Sequence, residues 1–322
     1  MLRLSREELI ESNNKKLYEG GHIMQIIEVN KDNVVILFDY WNEIGETIPY
    51  FYNTTYESFK RSLFDDTFEG MPILQNNKVF ISSEGDQVKG FIQYGIPGLH
   101  FTEIGKITKD INIGVIRNLY YEETRPDIGR ALLDLAMNFF KNNNIKDIYA
   151  FYHAMGMSCN GNHGKLHEKF DYIGNLLSQV GLEIEHENIY YVCDMKEKKL
   201  DYPNRNHMEV AEIDDNRQKL ILYDEYNNPM GNAVIKYIDN LTGFSEKSII
   251  YLVWIGIDKS IIGKGLGTEF LNHIIHYCLT KGYRYLHTDT AINNKKAQKF
   301  YIRNGFIDNG ITRSCIIKRN GL

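Results

Sequence analysis

Residues 249–268 read IIYLVWIGIDKSIIGKGLGT, an apolar run that passes through Asp258 into the glycine-rich turn Gly263-Lys264-Gly265-Leu266-Gly267-Thr268. Beyond it, apolar residues fall at 271, 274, 275, 278 and 279, the i, i+3, i+4, i+7, i+8 spacing of one buried helical stripe. A strand, a glycine turn and a helix N-terminus in that order make an anion cradle. Glycines let the backbone approach, and unpaired N–H groups with the helix dipole favour negative charge. Two nucleotide-site patterns fail on this stretch. A P-loop needs Gly six residues before its Lys, where Asp258 stands, and Ser or Thr after it, where Gly265 stands. The dinucleotide fingerprint needs a different glycine spacing and a βαβ unit, but the strands before this turn read as an antiparallel meander.

Working outward, Met208 to Ile213 reads as a strand, Lys219 to Tyr223 and Gly231 to Tyr237 as a hairpin turned at Asn227-Asn228-Pro229, and Ser248 to Ile257 as a long apolar strand. After the glycine-turn helix come a strand at Tyr285 to Thr288, a helix at Asn294 to Arg303, and a last strand near Ser314 to Ile317. The first part of the chain repeats this order: hairpin strands at Lys78 to Ser82 and Gly90 to Tyr94, and a strand at Ile113 to Tyr121. A glycine break at Gly129, a helix at Ile128 to Phe140 and a strand at Asp147 to Tyr152 follow, then a helix near Lys165 to Gln179 and a strand at Ile189 to Cys193. The polar run KEKKLDYPNRNH, Lys196 to His207, reads as the linker, giving domains 1–195 and 196–322. Only the first repeat carries two helix-like segments, Asn33 to Trp41 and Thr55 to Phe64, between its opening strand around Ile27 and its hairpin.

The turn Ile262 to Gly267 resembles the acyl-CoA pyrophosphate loop of the GNAT superfamily of N-acyltransferases, Arg/Gln-x-x-Gly-x-Gly/Ala, with Ile262 in place of Arg or Gln. A second motif of that family, Asn-x-x-Ala-x-x-x-Tyr followed by x-x-x-Gly-Phe, is matched by Asn294, Ala297, Tyr301, Gly305 and Phe306. The resemblance covers 208–317 and, in looser form, 24–195. It implies an α/β fold of two tandem GNAT-like domains, each a mixed, mostly antiparallel sheet flanked by helices. It also implies acetyl-CoA as co-substrate, held by Ile262, Gly263, Lys264, Gly265, Leu266, Gly267, Thr268 and Asn294, with the main chain near Ile255 and Ile257 along the pantetheine arm. An N–H on that strand would stabilise the oxyanion as an amine attacks the thioester. The reaction needs an acid for the leaving thiolate and a base for the amine. Tyr301 is expected as the acid; His287 or Asp289, or a carboxylate reached through water, as the base. In the first repeat Pro126 to Ala131 matches the loop, with Arg125 and Arg130 nearby, but Leu177 replaces the tyrosine, so the C-terminal repeat is expected to be the competent one. In this family the two missing helices wall the acceptor side, so the acceptor is expected between the repeats.

Composition narrows the partners. In 322 residues, 43% hydrophobic and 25% charged suit about two globular domains. Net charge of −5, from 37 basic and 42 acidic residues, lacks the basic field of a nucleic-acid binder. The longest apolar run is far short of the roughly 18 residues that span a bilayer, and the charged N-terminal MLRLSREE is unlike a secretory signal, so the cytoplasm is the default location. Four cysteines without a C-x-x-C pair read as reduced core thiols, Cys193 and Cys315 holding matching places in the two last strands. His163 and His167 lie i, i+4 beside Glu168, but HGKLHE lacks the H-E-x-x-H order, so a helix surface is expected rather than a metal site. His273 and His276 are read as solvated. The expected function is acetyl transfer from acetyl-CoA to a primary amine of a small molecule. An acyl-CoA-binding sensor without turnover is the alternative, and a CoA-free, aminoacyl-tRNA-dependent ligase is opposed by the intact glycine turn.

Overall fold

The computed structural model describes residues 14–19, 22–48, 54–68, 70–101, 107–108, 112–161, 163–198, 206–214, 217–238 and 249–317. The chain divides into two units, residues 1–186 with 313–322 and residues 187–312. Of the expected linker, residues 199–205 lie outside the described residues, as does Ser248.

In the first unit, strands β1 (Asn14–Glu19), β2 (His22–Glu28), β3 (Leu74–Glu84), β4 (Gln87–Pro97) and β5 (Ile113–Tyr121) are antiparallel neighbours in that order. Strand β5 then runs parallel to β6 (Asp147–Ala150), pairing Ile113 with Asp147 through Ile116 with Ala150. Helices α1 (Val35–Gly45) and α2 (Tyr56–Phe64) cover one face, where Trp41 meets Phe91 at 5.9 Å between ring centres. Helix α2 starts at Thr55, whose side chain accepts from Ser58 N at 3.2 Å. Helix α3 (Pro126–Asn142) packs on the other face through Phe140, 5.9 Å from Tyr94. Phe91 and Tyr94 are an odd number of residues apart, so they point to opposite faces of β4.

Two expectations change in this unit. Gly129 is not a break: it lies inside α3, where a Cβ would come within 2.4 Å of the Tyr121 ring, so its role is close helix–sheet packing. The helix expected near Lys165 to Gln179 is shorter, α4 (Asp171–Ser178), preceded by an extended pair at Leu166–His167 and a tight turn at Glu168–Phe170. His167 is therefore not on a helix surface: it is buried, and its Nδ1 accepts from Lys169 N at 3.1 Å. Among the described residues no group of histidine, cysteine and acidic side chains is placed to hold a metal ion.

The second unit opens with β7 (Glu183–Asp194), whose residues 188–194 pair antiparallel with β12 (Tyr285–Ala291). Strands β8 (His207–Asp214), β9 (Arg217–Tyr223), β10 (Pro229–Tyr237) and β11 (Ile249–Ile257) form an antiparallel meander, and the alternation that turns Gln218, Leu220 and Leu222 inward gives β9 one buried face. Helix α5 (Leu266–Thr280) buries Phe270, Leu271, Ile274, Ile275 and Cys278 against this sheet, each large side chain contributing roughly 1.5–3 kcal/mol. Helix α6 (Lys295–Arg303) lies on the same face, Tyr301 and Phe306 completing the core. Among the described residues no α-helix stands between β8 and β9.

The two last strands are not where the repeat placed them. Ile189 to Cys193, read as the end of the first repeat, pairs with β12 of the second unit, and residues 315–317 of β13 (Ile307–Ile317) pair antiparallel with 148–150 of β6 in the first. Each unit is thus completed by a strand from the other half of the sequence, and the division falls at 186/187 and 312/313 rather than at 195/196. Alternation fixes which face of a strand is buried but not its partner, and these two strands carry the same buried-cysteine pattern. All four cysteines are free and buried, and burial raises their thiols, to about 12 at Cys159 and Cys278 and about 11 at Cys193 and Cys315. They are inert packing groups.

Candidate active site

Strands β11 and β12 are parallel partners only at Ile249–Tyr285, Ile250–Leu286 and Tyr251–His287, yet they run on to Ile257 and Ala291. They fork after Tyr251. Just beyond, the ladder to β10 skips Val253, since Ile235 faces Leu252 and Val234 faces Trp254. This β-bulge turns the rest of β11 away from its neighbour and leaves its main chain on that side unpaired by β12. Facing residues share a side of the sheet, so Leu252, Ile255 and Ile257 lie on the helix side, and Tyr251, Trp254 and Gly256 on the other.

The polypeptide leaves β11 through Asp258, whose carboxylate accepts from Ser260 N at 2.8 Å and Ser260 Oγ at 2.6 Å, and enters the glycine turn. Gly263 and Gly265 have φ of +93° and +80°, values that favour glycine, and nothing lies within 4 Å of a Cβ built on either. Ile262, Gly263, Lys264, Gly265 and Thr268 are exposed, and Leu266 and Gly267 half-buried. Thr268 N and Glu269 N bond to Gly265 O, while the amides of Leu266 and Gly267 begin the helix with no preceding turn to bond to. Gly267 serves packing as well, a Cβ there falling 3.3 Å from Phe300. This is an open cradle of main-chain donors with a lysine beside it. Asn294 caps α6, its side chain accepting from Ala297 N at 3.2 Å, so the Asn-x-x-Ala spacing has a structural use there.

Tyr301 is 6% exposed, packed among Tyr191, Phe300 and Phe306. Its phenol lies beside Thr288, whose hydroxyl donates to Leu252 O at 2.9 Å, so it reaches the fork on the helix side. Burial, the largest effect, raises its pKa; the Thr288 hydroxyl lowers it and the Asp289 charge raises it. The phenol therefore stays protonated at neutral pH. His287 and Asp289 are on the opposite side. His287 is buried and hydrogen-bonded through Nδ1 to Tyr190 OH at 2.9 Å. Asp289 accepts from Tyr251 OH at 2.7 Å and Asn188 Nδ2 at 2.6 Å. The three expected catalytic residues thus flank one fork from its two sides. Thr288, Tyr190, Tyr251 and Asn188 were missed by sequence reading; the alternation of His287-Thr288-Asp289-Thr290 was the signal that neighbouring residues serve opposite sides.

The first unit has the same fork, filled. Its parallel pairing ends at Ile116–Ala150, and the ladder to β4 skips Arg117, between Gln93–Asn118 and Tyr94–Ile116. The Arg117 side chain is 2% exposed and donates from Nε to Met155 O (2.6 Å), from Nη1 to Ser62 O (2.8 Å), and from Nη2 to Gly156 O (2.8 Å) and Asp66 Oδ2 (2.5 Å). Only residues 122–125 join β5 to α3, so no glycine turn forms. Arg125 is ion-paired with Glu84 and with Asp127 at 2.6 Å, and Arg130 bonds Gln179.

A bulged strand thus forks from its parallel neighbour and leads through an exposed glycine turn into a helix. Residues 184–306 match the model of the acetyltransferase (GNAT) family, and the fold is that of GNAT-like tandem acetyltransferases. A tandem GNAT protein from the clavulanic acid biosynthesis pathway, solved without acetyl-CoA, superposes with a TM-score of 0.64 at 12% identity, over 93% of this chain and 99% of that one. A GCN5-related N-acetyltransferase from Sphaerobacter thermophilus gives 0.61 at 8% identity, over 93% and 97%. The glucosamine N-acetyltransferase region of a fungal multi-domain GH3 β-N-acetylglucosaminidase gives 0.62 at 11%, over 91% of this chain and 38% of that one. At these identities the likeness is one of fold. No curated protein matches the chain by sequence.

Proposed function

We propose that the protein is an acetyl-CoA-dependent N-acetyltransferase whose second unit carries the reaction on a primary amine of a small molecule. The observation that carries this reading is the fork between β11 and β12, reached from the helix side by the protonated Tyr301 phenol and from the other side by His287 and Asp289. The glycine turn fits the diphosphate of coenzyme A: its glycines hold a left-handed backbone, its surface is open, and Lys264 adds a cation. The co-substrate supplies an activated acetyl thioester. The bulged main chain from Leu252 to Ile257 lies along the arm, and an N–H there stabilises the oxyanion as the amine nitrogen adds to the carbonyl carbon. The C–S bond then breaks, and the Tyr301 proton passes to the departing sulfur. Asp289, or His287, takes the proton lost by the amine, directly or through water. No covalent bond to the enzyme is needed.

Mass-spectrometric detection of an N-acetylated amine after incubation with acetyl-CoA tests this reading. Calorimetric binding of acetyl-CoA without any acetylated product would assign an acyl-CoA sensor instead, and absence of binding would remove the reading altogether.

A further inference from the structure

Thr288 stands where the second fork begins. The parallel pairing of β11 with β12 ends at Tyr251–His287, and the next residue of β12 is Thr288, buried on the side opposite His287 and Asp289. Its hydroxyl donates at 2.9 Å to Leu252 O, the first carbonyl of β11 beyond that pairing. The Tyr301 phenol lies beside the same hydroxyl. A threonine hydroxyl carries one proton and turns about its C–O bond, so it can serve either of two acceptors in reach. Branching at Cβ leaves the side chain few rotamers, which holds the oxygen still while its proton turns. The first unit has neither partner. Its parallel pairing ends at Ile116–Ala150, the next residue is Phe151, and Leu177 stands in place of the tyrosine. Hydroxyl and phenol are thus present together at the open fork and absent together at the closed one.

Resting on the acetyltransferase reading, we propose that Thr288 is a positioning residue for Tyr301: its hydroxyl bonds Leu252 O while the phenol keeps its proton, and turns to donate to the phenolate as that proton passes to the departing sulfur. No bond to Thr288 is made or broken. The Tyr301 O–H bond breaks, an S–H bond forms, and the phenolate regains a proton from water. A hydrogen bond to an ionised acceptor is stronger than one to a neutral carbonyl, so the turn stabilises the transition state more than the ground state. It also opposes what burial does to Tyr301, since burial raises the pKa of the phenol and the Thr288 hydroxyl lowers it.

The test compares the unaltered chain with Thr288→Val, Thr288→Ser, Tyr301→Phe and the double variant carrying Thr288→Val and Tyr301→Phe. In NMR of protein labelled at tyrosine Cζ, the chain gives a resonance for each of its 22 tyrosines, and the one missing from Tyr301→Phe is that of Tyr301. Without acetyl-CoA, Thr288→Val is expected to shift this resonance and Thr288→Ser to leave it near its original place. With acetyl-CoA and n-hexylamine, followed by thiol release, Thr288→Val is expected to lower kcat about tenfold, and Thr288→Ser, which keeps the hydroxyl, to retain most of it. The double variant is expected to fall no further than Tyr301→Phe alone, and calorimetric affinity for acetyl-CoA to stay the same throughout. An unmoved Tyr301 resonance, a kcat lost equally in both backgrounds or in neither, or a loss confined to acetyl-CoA affinity overturns the proposal while leaving the acetyltransferase standing. The expected resonance shift with no thiol released by the unaltered chain supports the pairing and defeats the acetyltransferase.

Discussion

Strand β5 of the first unit and strand β11 of the second are the same device in two states. Each runs parallel to its neighbour for a few residues, bulges, and forks away. In β5 every residue from Ile113 to Tyr121 is buried, whereas β11 is buried at Ile249 and Ile250 but exposed at Val253 and Trp254. The difference rests on one side chain. At the bulge of β5 stands Arg117, which spends its donors on three carbonyls and Asp66 and so closes the fork; at the bulge of β11 stands Val253, which has no such donors and points to solvent. A repeat can keep the architecture of an acyltransferase while its opening is used as a core.

The comparison breaks most severely at the plug. Arg117→Met removes the cation that pairs the buried Asp66 carboxylate, which keeps the Ser158 amide at 2.9 Å, and is expected to cost about 3–5 kcal/mol, read as a fall in denaturation midpoint. A loss below about 1 kcal/mol would mean that the ion pair is not what holds this fork closed.

Tyr301→Phe keeps the packing against Tyr191 and Phe306 and removes only the proton donor. Its kcat is expected to fall about a hundredfold with acetyl-CoA affinity unchanged. The corresponding Leu177→Ala in the first unit should lower stability and leave kcat alone.

A pair of glycine variants sharpens the contrast further. Gly265→Val forces a branched side chain into φ +80° and is expected to weaken acetyl-CoA binding about tenfold. Gly129→Ala places a methyl against the Tyr121 ring, costing about 1–3 kcal/mol of stability without altering acetyl-CoA affinity. Calorimetry and thermal melts of both proteins separate the two effects.

The smallest effect concerns pH. His273 on α5 is half-buried rather than solvated, and burial, its largest cause, lowers its pKa; the charges of His276 and His207 add to this and that of Glu269 opposes it. A histidine held neutral in the fold binds its proton more readily when unfolded. Stability is therefore full above the ordinary histidine value of about 6.5 and declines as pH falls through it toward the lower folded value. Melting temperatures from pH 7.5 to 5.5 should fall, and His273→Gln should flatten that slope by a few degrees at most.

What was legible in the sequence was local. The stripe of α5, the left-handed glycines at 263 and 265 and the cap at Asn294 are each set within a few residues, so periodicity and turn chemistry reached them. The strand exchange was not legible, because pairing over about ninety residues or more leaves no local mark, and the matching patterns around Cys193 and Cys315 suggested simple repetition. Arg117 looked like one charge in an apolar strand; only the tertiary placement of Asp66 and of the Met155 and Gly156 carbonyls gives it a task. The exposure of Trp254 was hidden for a related reason, since an aromatic in a nine-residue strand reads as core until the fork is seen.

The central claim is that the second fork is open to acyl-CoA and the first is closed. Isothermal titration of the intact chain with acetyl-CoA measures this directly. The account predicts a single site per chain, weakened by Gly265→Val and untouched by Gly129→Ala. Two sites per chain, or one site indifferent to Gly265→Val, would contradict it.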